Sequence, residues 1–228
     1  MSIWESIFSS REWGKYPPEE LVRIASKFKK NNKANYFKCL ELGPGPGANS
    51  LLLLDLFDQY CAIDISSSAI IQLEKRIFSN IRNPDLDLRV GCFSSLPWDN
   101  NTFDFVCDNF STYANKISLI KKTFSEVARV LSEKSIFYSR VWGLDCYGLE
   151  TGTEIETNTY QDLKESPCAG FGISHFYSID EINSIYSQFF DIISIKKIET
   201  LEYYFEENLK NNKKLIQEYI VTSTKKKS

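Results

Sequence analysis

The sequence predicts a doubly wound α/β protein with a mostly parallel sheet and helices on both faces. Two observations support this prediction. Short apolar runs of strand length alternate with helical segments between residues 36 and 141, and a glycine-rich turn follows the first run. Strands that alternate with helices form parallel sheets, and right-handed crossovers cover both faces. The turn, ELGPGPGAN at 41–49, can approach a nucleotide-like ligand closely because glycine carries no Cβ.

Each element follows from a local pattern. The predicted strands are 36–42, 59–64, 86–90, 103–107, 135–141, 190–198 and 215–222, the last two as an antiparallel hairpin at the sheet edge. The predicted helices begin after Pro17 and Pro18, at 49, at the serine run 66–68, at 117 and at 178. Residues 143–177 are polar and glycine-rich without a clear period. A segment of that length predicts a functional or mobile loop.

Composition limits the function classes. The chain has 228 residues, 43% hydrophobic and 25% charged residues, and a net charge of −3. This length suits one domain with a full core, and the charge gives no electrostatic case for a nucleic-acid partner. No apolar run is long enough to cross a bilayer, and the first residues do not resemble a signal peptide. We therefore expect a cytoplasmic protein without a membrane partner.

The six cysteines include no C-x-x-C pair. We therefore expect no zinc or iron–sulfur site, and no metal cofactor.

The glycine turn admits two interpretations. As G-x-G-x-x-A, with Gly43, Gly45 and Ala48, it matches a dinucleotide-binding turn loosely, and Asp64 ends the second strand where a ribose-binding acid is expected. A nicotinamide- or flavin-dependent enzyme is therefore one candidate.

Three features argue against a dinucleotide. Glu41 precedes the glycines, where its carboxylate would be badly placed near a pyrophosphate but could bind an ammonium group. Pro44 and Pro46 remove backbone donors that phosphate binding would use. The chain is also short for a dehydrogenase with a separate substrate domain.

Four successive segments carry a resemblance. They are CLELGPGPGANSLLL, AIDISSSAI, VGCFSSLPWDNNTFDFV and EVARVLSEKSIFY, from about residue 37 to residue 141. In order and spacing they resemble the motifs of class I S-adenosylmethionine-dependent methyltransferases of the small-molecule branch. The resemblance implies a Rossmann-like seven-stranded sheet, S-adenosylmethionine as cofactor and S-adenosylhomocysteine as product.

The resemblance also implies a cofactor site. Its residues are Glu41, Gly43, Pro44, Gly45, Gly47, Asn49, Asp64, Ile65, Cys92, Phe93, Asn109, Arg11 and Trp13. Asp64 would accept from the ribose hydroxyls, Glu41 would lie near the amino group, and Asn109 would lie near the transferring methyl. Many relatives carry an acid at the position of Cys92. Ile65 and Phe93 have an alternative as core residues, and Asn109 has an alternative as a loop cap.

The resemblance also implies contacts to the adenine and a role for the N-terminal segment. Ile65 would pack on the adenine, and Cys92 and Phe93 would hold the adenine edge. Residues 1–35 would form a lid and a helix, in which Arg11 could meet the methionine carboxylate. The alternative is an aromatic plug that covers the sheet.

The acceptor side is predicted from residues 142–228, which would hold the acceptor loop and the closing strands of a single domain, after a cofactor-binding core at 36–141. His175, in GFGISHFYS, is the candidate general base, because imidazole titrates near neutral pH. Its alternative is a structural histidine that orders the 170–172 loop or packs beside Phe176. The candidate acceptor-binding residues are Arg140, Trp142, Tyr16 and Tyr113; Arg140 could equally be a surface ion-pair partner.

The sequence thus predicts a methyltransferase that acts on a small polar metabolite, on oxygen, with a sugar or a phosphorylated precursor of bacterial surface polysaccharide as one candidate acceptor. We expect a monomer or homodimer. The alternatives are an NAD-dependent oxidoreductase and a non-catalytic protein that retains the fold as an interaction platform.

Overall fold

A seven-stranded sheet forms the centre of the structure, a computed structural model that describes residues 2–11, 13–34, 36–204 and 212–227. The strands are β1 Lys38–Leu42, β2 Gln59–Asp64, β3 Leu86–Val90, β4 Phe103–Asn109, β5 Leu131–Trp142, β6 Thr153–Glu156, β7 Thr159–Gln161, β8 Ser174–His175, β9 Phe190–Tyr204 and β10 Asn212–Lys225. The helices are α1 Ile3–Ser10, α2 Glu19–Asn31, α3 Ser50–Leu56, α4 Ser67–Phe78, α5 Ile117–Val130 and α6 Ile179–Phe189.

The strand order in the central sheet is β3-β2-β1-β4-β5-β10-β9. Strands β1 to β5 pair in parallel, and β10 runs antiparallel to both β5 and β9. This arrangement confirms the predicted Rossmann-like fold with an antiparallel edge hairpin. Successive strands are added to the sheet in opposite directions on the two sides of β1: β2 and β3 lie on one side, and β4 and β5 lie on the other. In an open α/β sheet this point leaves a crevice at the carboxyl ends of the strands.

Successive residues of β1 face opposite layers. Leu40 belongs to the same buried cluster as Phe124 of α5 and Tyr186 of α6, whereas Cys39 belongs to the buried cluster of Leu21 in α2. The side-chain period of two along a strand therefore buries both faces of the sheet. Among the described residues, no helix is long and apolar enough to span a bilayer.

Two parts of the fold were not predicted from the sequence. Helix α1 begins at the cap Ser2, whose hydroxyl accepts from the Glu5 backbone, and packs against α4. A second sheet, β6-β7-β8, lies within the segment that lacks a sequence period. Its strands have two to four residues, which is too short for an alternating pattern to show.

Candidate active site

A cavity of about 290 Å³ opens at the carboxyl ends of β1, β2 and β4. Its lining residues are Ser2, Trp4, Phe8, Trp13, Gly43, Pro44, Gly45, Ala48, Asn49, Asp64, Ile65, Gly91, Cys92, Phe93, Asn109, Phe110, Ser111, Tyr113, Ala114, Asn115, Leu119, Trp142 and Phe171. The cavity lies at the crevice that the strand order creates. It therefore occupies the place where ligands bind in this class of sheet.

The glycine turn forms one wall of the cavity, and two positions in it have no room for a side chain. Gly43 and Gly45 have φ values of +61° and +52°. A Cβ on Gly43 would lie 2.6 Å from the Ser111 hydroxyl oxygen, and one on Gly45 would lie 3.2 Å from the Phe8 ring. Close approach on two sides, together with the left-handed backbone, explains glycine at both positions.

Asp64 ends β2 beside this turn and is 4% exposed. Its Oδ2 accepts from the Gly45 backbone N–H at 3.0 Å, and its Oδ1 accepts from the Ser66 N–H at 2.9 Å. Burial raises the pKa of Asp64, against the opposing effect of these two donors. Each carboxylate oxygen keeps a further lone pair, so Asp64 can accept hydroxyl donors from a ligand.

Glu41, predicted to lie near the amino group of the ligand, does not line the cavity itself. Its carboxylate accepts from Asn49 Nδ2 at 2.7 Å and from the Tyr60 hydroxyl at 2.5 Å, and it is 1% exposed. Burial raises the pKa of Glu41 to about 7. Asn49 does line the cavity, so Glu41 reaches the site through the Asn49 amide.

Asn49 leaves one side-chain acceptor without a described partner in this orientation. It is 3% exposed, and its Oδ1 has no hydrogen-bond partner among the described residues. A buried amide oxygen without a partner costs free energy unless a ligand donates to it. The arrangement is therefore suited to a donor such as an ammonium group.

Ile65, Cys92 and Phe93 line the same part of the cavity. Ile65 is 49% exposed, which does not agree with the alternative role as a core residue, whereas Phe93 is partly buried and also packs against the main core cluster. The Cys92 thiol is exposed and lies 3.1 Å from the Ser94 hydroxyl oxygen.

The opposite wall begins where β4 ends. Asn109 lines the cavity, and its Oδ1 has no hydrogen-bond partner among the described residues, so this oxygen does not cap the loop. Asp108 holds the loop instead, accepting from the backbone N–H groups of Ser111 at 3.0 Å and Thr112 at 3.1 Å. Phe110, which follows, has a φ of +58°.

Three rings form what we name the floor cluster: Phe110, Tyr113 and Trp142. Phe110 stacks on Trp142 with centroids 3.9 Å apart and planes 18° apart, and Tyr113 meets both rings edge-on. Arg140 does not line the cavity, which corrects its predicted contact with the acceptor. Its guanidinium lies 4.7 Å from the Phe110 centroid and its Nε donates to Glu218 at 2.8 Å.

Four further rings form what we name the lid cluster: Trp4, Phe8, Trp13 and Phe171. Arg11 stacks outside the cavity, with its guanidinium 5.3 Å from the Trp13 and Phe171 centroids. Tyr16 is 85% exposed and does not line the cavity. The predicted lid therefore supplies aromatic rings to the cavity but neither Arg11 nor Tyr16.

Glu5 attaches α1 to the start of α4. Its carboxylate accepts from the Ser66 hydroxyl at 2.6 Å and from the Ser68 backbone N–H at 3.2 Å. These donors, the Ser66 hydroxyl foremost, lower the pKa of Glu5 to about 2. An ionised carboxylate is favoured at the positive end of a helix, so this contact fixes the lid.

His175 lies outside the cavity lining and is 0% exposed. Its Nδ1 is 2.7 Å from the Thr159 hydroxyl oxygen, and its Nε2 is 3.3 Å from Glu181 Oε1. Nδ1 is therefore hydrogen-bonded within the β6-β7-β8 sheet, and the buried Nε2, which makes no hydrogen bond to a described residue, faces Glu181 of α6 and not the cavity. This placement corrects the expectation of a general base, because a base must reach the proton that it removes.

The cavity therefore brings together most of the residues that the sequence indicated. These are Trp13, Gly43, Pro44, Gly45, Asn49, Asp64, Ile65, Cys92, Phe93, Asn109, Tyr113 and Trp142. Gly47 belongs to the turn but does not line the cavity. Phe8, Phe110 and Phe171 were not selected from the sequence, where one ring among 16 phenylalanines carries no distinguishing signal.

Charge in the lining is sparse. Among the described residues that line the cavity, Asp64 is the single ionisable carboxylate, and no lysine, arginine or histidine is present. The cavity therefore combines one fixed carboxylate with amides, hydroxyls and aromatic rings.

Comparisons with known proteins agree with this architecture. Residues 40–139 match the family model described as a methyltransferase domain. A solved S-adenosylmethionine-dependent methyltransferase of Methanosarcina mazei is 21% identical, with 86% of this chain and 95% of that chain covered and a TM-score of 0.65. A Pyrococcus horikoshii protein, PH0226, is 16% identical, with 97% and 99% covered and a TM-score of 0.67.

The YcgJ protein of Bacillus subtilis is 12% identical, with 92% of this chain and 100% of that chain covered and a TM-score of 0.69. At these identities the solved structures show the fold alone. A search of curated proteins finds no significant match.

Proposed function

We propose that the chain is a class I S-adenosylmethionine-dependent methyltransferase, which the methyltransferase-domain match at residues 40–139 supports, and that it transfers the methyl group to an oxygen of a small metabolite bound in the cavity. One observation carries this proposal. The same cavity joins the glycine turn and Asp64, on one wall, to the floor cluster and Asn109 on the other. A cofactor and an acceptor can therefore meet there.

The chain's own residues suit the cofactor. Asp64 supplies a fixed carboxylate for the ribose hydroxyls, and Asn49 supplies an unpartnered amide oxygen for the ammonium group. Ile65 and Phe93 supply apolar surface for the base. When bound, the cofactor supplies a methyl group on a sulfonium centre, which is already activated by its charge.

Polar groups on the acceptor side favour an uncharged acceptor with hydroxyl groups. Asn109, Ser111 and Asn115 line the cavity, and amides and hydroxyls recognise such groups. A phosphorylated acceptor is not part of the proposal, because a phosphate would meet no basic side chain among the described lining residues.

Alignment and exclusion of water are the contributions that we assign to the protein. The floor cluster and Asn109 would orient the acceptor oxygen, and orientation alone can lower a barrier by several kcal/mol, about 7 or more in favourable cases. The lid cluster would cover the reacting atoms. His175 would hold the β6-β7-β8 sheet to α6 and take no part in proton transfer.

A metabolite screen tests the proposal. Purified protein with S-adenosylmethionine and a panel of hydroxylated small molecules should yield an acceptor that gains the mass of one methyl group. With that acceptor, His175→Gln should retain most of the turnover if it folds, because the histidine does not reach the cavity. Methylation of protein or nucleic acid alone would contradict the proposal, and loss of turnover in a folded His175→Gln would restore the histidine as a candidate base.

A further inference from the structure

We propose that the acceptor is an uncharged, hydroxylated aromatic ring, methylated at a phenolic oxygen. This inference rests on the proposed function and adds the substrate class. It derives from three features of the same cavity: rings from two separate segments of the chain, a strained aromatic residue, and a lining with a single carboxylate and no basic side chain among the described residues.

Aromatic rings approach the cavity from two separate parts of the chain. The floor cluster comes from the ends of β4 and β5, and the lid cluster comes from α1, its C-terminal extension and the 170–172 loop. Planar ligands gain from offset stacking and edge contacts with such rings. A cavity lined by rings from both segments thus suits a flat acceptor.

Phe110 is held in a backbone conformation that costs free energy. A positive φ of +58° is unfavourable for a residue with a bulky side chain. The surrounding structure maintains it, because the Phe110 N–H donates to the Arg140 carbonyl at 3.0 Å and the ring lies between the Arg140 guanidinium and Trp142. Strain that the surroundings enforce at a cavity wall indicates a functional placement of the ring.

The lack of a base in the described cavity lining favours a phenol over other ligands that stack on aromatic rings. Sugars also pack on aromatic rings, but an aliphatic hydroxyl is far less acidic than a phenol, whose pKa is about 10 in tyrosine. With Asp64 held by Gly45 and Ser66, no histidine, lysine or second carboxylate lines the cavity among the described residues. An acceptor that releases its own proton to water more readily therefore suits this site.

The transfer balances without a further reactant. The phenolic proton passes to water, and a lone pair of the phenolate oxygen forms the O–C bond to the methyl group. The C–S bond breaks, its electron pair stays on sulfur, and the sulfonium charge is lost. The products are the methyl ether, S-adenosylhomocysteine and a proton.

Titration calorimetry on the protein saturated with S-adenosylhomocysteine tests this inference. The probes are catechol, an uncharged dihydroxycoumarin, methyl glucoside and glucose 6-phosphate. We expect at least one of the two phenols to bind about tenfold more tightly than either sugar, because stacking adds to the burial of its apolar surface. With S-adenosylmethionine, that phenol should gain one methyl group.

Three variants locate the binding. Trp142→Leu on the floor should weaken binding of the phenol about tenfold while S-adenosylhomocysteine affinity stays within about twofold. Trp4→Leu on the lid should also weaken binding of the phenol about tenfold, with a loss of S-adenosylhomocysteine affinity no larger than about threefold. Trp4 lies outside the sheet, so this variant remains informative if Trp142→Leu unfolds. Tyr203→Ala, at a half-exposed ring on β9, is the control and should change neither affinity.

The outcomes separate the inference from the proposed function. If S-adenosylhomocysteine binds but both phenols fail to bind, or a sugar binds more tightly or is methylated in preference, the acceptor class is wrong and the methyltransferase assignment stands. If S-adenosylhomocysteine itself does not bind, the proposed function fails first. Phenol binding that neither Trp142→Leu nor Trp4→Leu weakens would also overturn the inference.

Discussion

Two buried carboxylates near the glycine turn differ in their hydrogen-bond partners and in their access to the cavity. Asp64 faces the cavity and is held by backbone donors, whereas Glu41 lies behind the turn and is held by Tyr60 and Asn49. Burial raises the pKa of both groups, and that of Glu41 rises to about 7. Only Asp64 can touch a ligand directly, so substitution should separate the two roles.

For Asp64→Ala we expect S-adenosylhomocysteine affinity to fall at least tenfold, or about 1.4 kcal/mol, because a charged hydrogen-bond acceptor is lost. Titration calorimetry measures the change. Asp55→Ala, at an exposed position on α3, is the matched control. Urea unfolding of both variants separates a binding effect from a general loss of stability, and unchanged affinity would remove Asp64 from the ribose site.

Glu41→Gln should change how stability depends on pH. The folded pKa of Glu41 is about 7 and its ordinary value is 4.5, so the ionised form is disfavoured in the fold. The stability that protonated Glu41 contributes is therefore complete below pH 4.5 and lost as pH rises to about 7. The uncharged variant escapes this loss.

Relative to wild type, Glu41→Gln should thus gain up to about 3 kcal/mol of unfolding free energy between pH 5 and pH 8. Urea unfolding at several pH values measures this, with the exposed Glu133→Gln as the control. Parallel pH curves for Glu41→Gln and wild type would show that folding does not raise the pKa of Glu41.

At the scale of elements, the alternation of strands and helices predicted the central sheet closely, because the inner strands β1, β2 and β4 are buried on both faces and read as apolar runs. Strands β2 and β3 begin and end at the predicted residues. Strand β9 extends to Tyr204, beyond the predicted end at 198, because backbone pairing with β10 continues where the side chains are exposed. The pattern of apolar residues in the sequence does not reveal pairing that depends on the backbone alone.

The lid was predicted as a segment but not as a helix. Trp4 and Phe8 recur at helical spacing, yet α1 has only eight residues and is held largely by tertiary contacts such as those of Glu5. Short helices depend on packing more than on propensity. The sequence therefore indicated that aromatic residues of the N-terminal segment cover the sheet, but not that Glu5 holds them to α4.

Glu5→Gln should loosen this attachment. We expect S-adenosylhomocysteine affinity to fall about threefold and the tryptophan emission of Trp4 and Trp13 to shift to longer wavelength, because a neutral amide caps α4 less well. Since the pKa of Glu5 is lowered to about 2, the wild-type contact is complete above pH 4.5 and is lost as pH falls toward 2. The same emission shift should appear in wild type over that range.

The control for the lid is Glu19→Gln, an exposed acid in the first turn of α2. It should change neither affinity nor emission. If Glu5→Gln behaves as Glu19→Gln does, α1 is not held by this contact.

At the scale of the whole molecule, one cavity collects groups that are distant along the chain. Asp64 and the glycine turn were recognisable because their motif is local, and Trp142 because it ends a predicted strand. His175 was misplaced because its role depends on Thr159 and Glu181, and no pattern in the sequence pairs them. The cavity lining near the glycine turn was thus largely predictable from sequence, whereas the surroundings of His175 required the tertiary structure.

We propose that this cavity binds S-adenosylmethionine and not a dinucleotide. Titration calorimetry of the purified protein with S-adenosylhomocysteine and, separately, with NAD⁺ tests it most directly. We predict saturable binding of S-adenosylhomocysteine to one site per chain and no measurable binding of NAD⁺. Binding of NAD⁺ by folded protein that does not bind S-adenosylhomocysteine would contradict the claim.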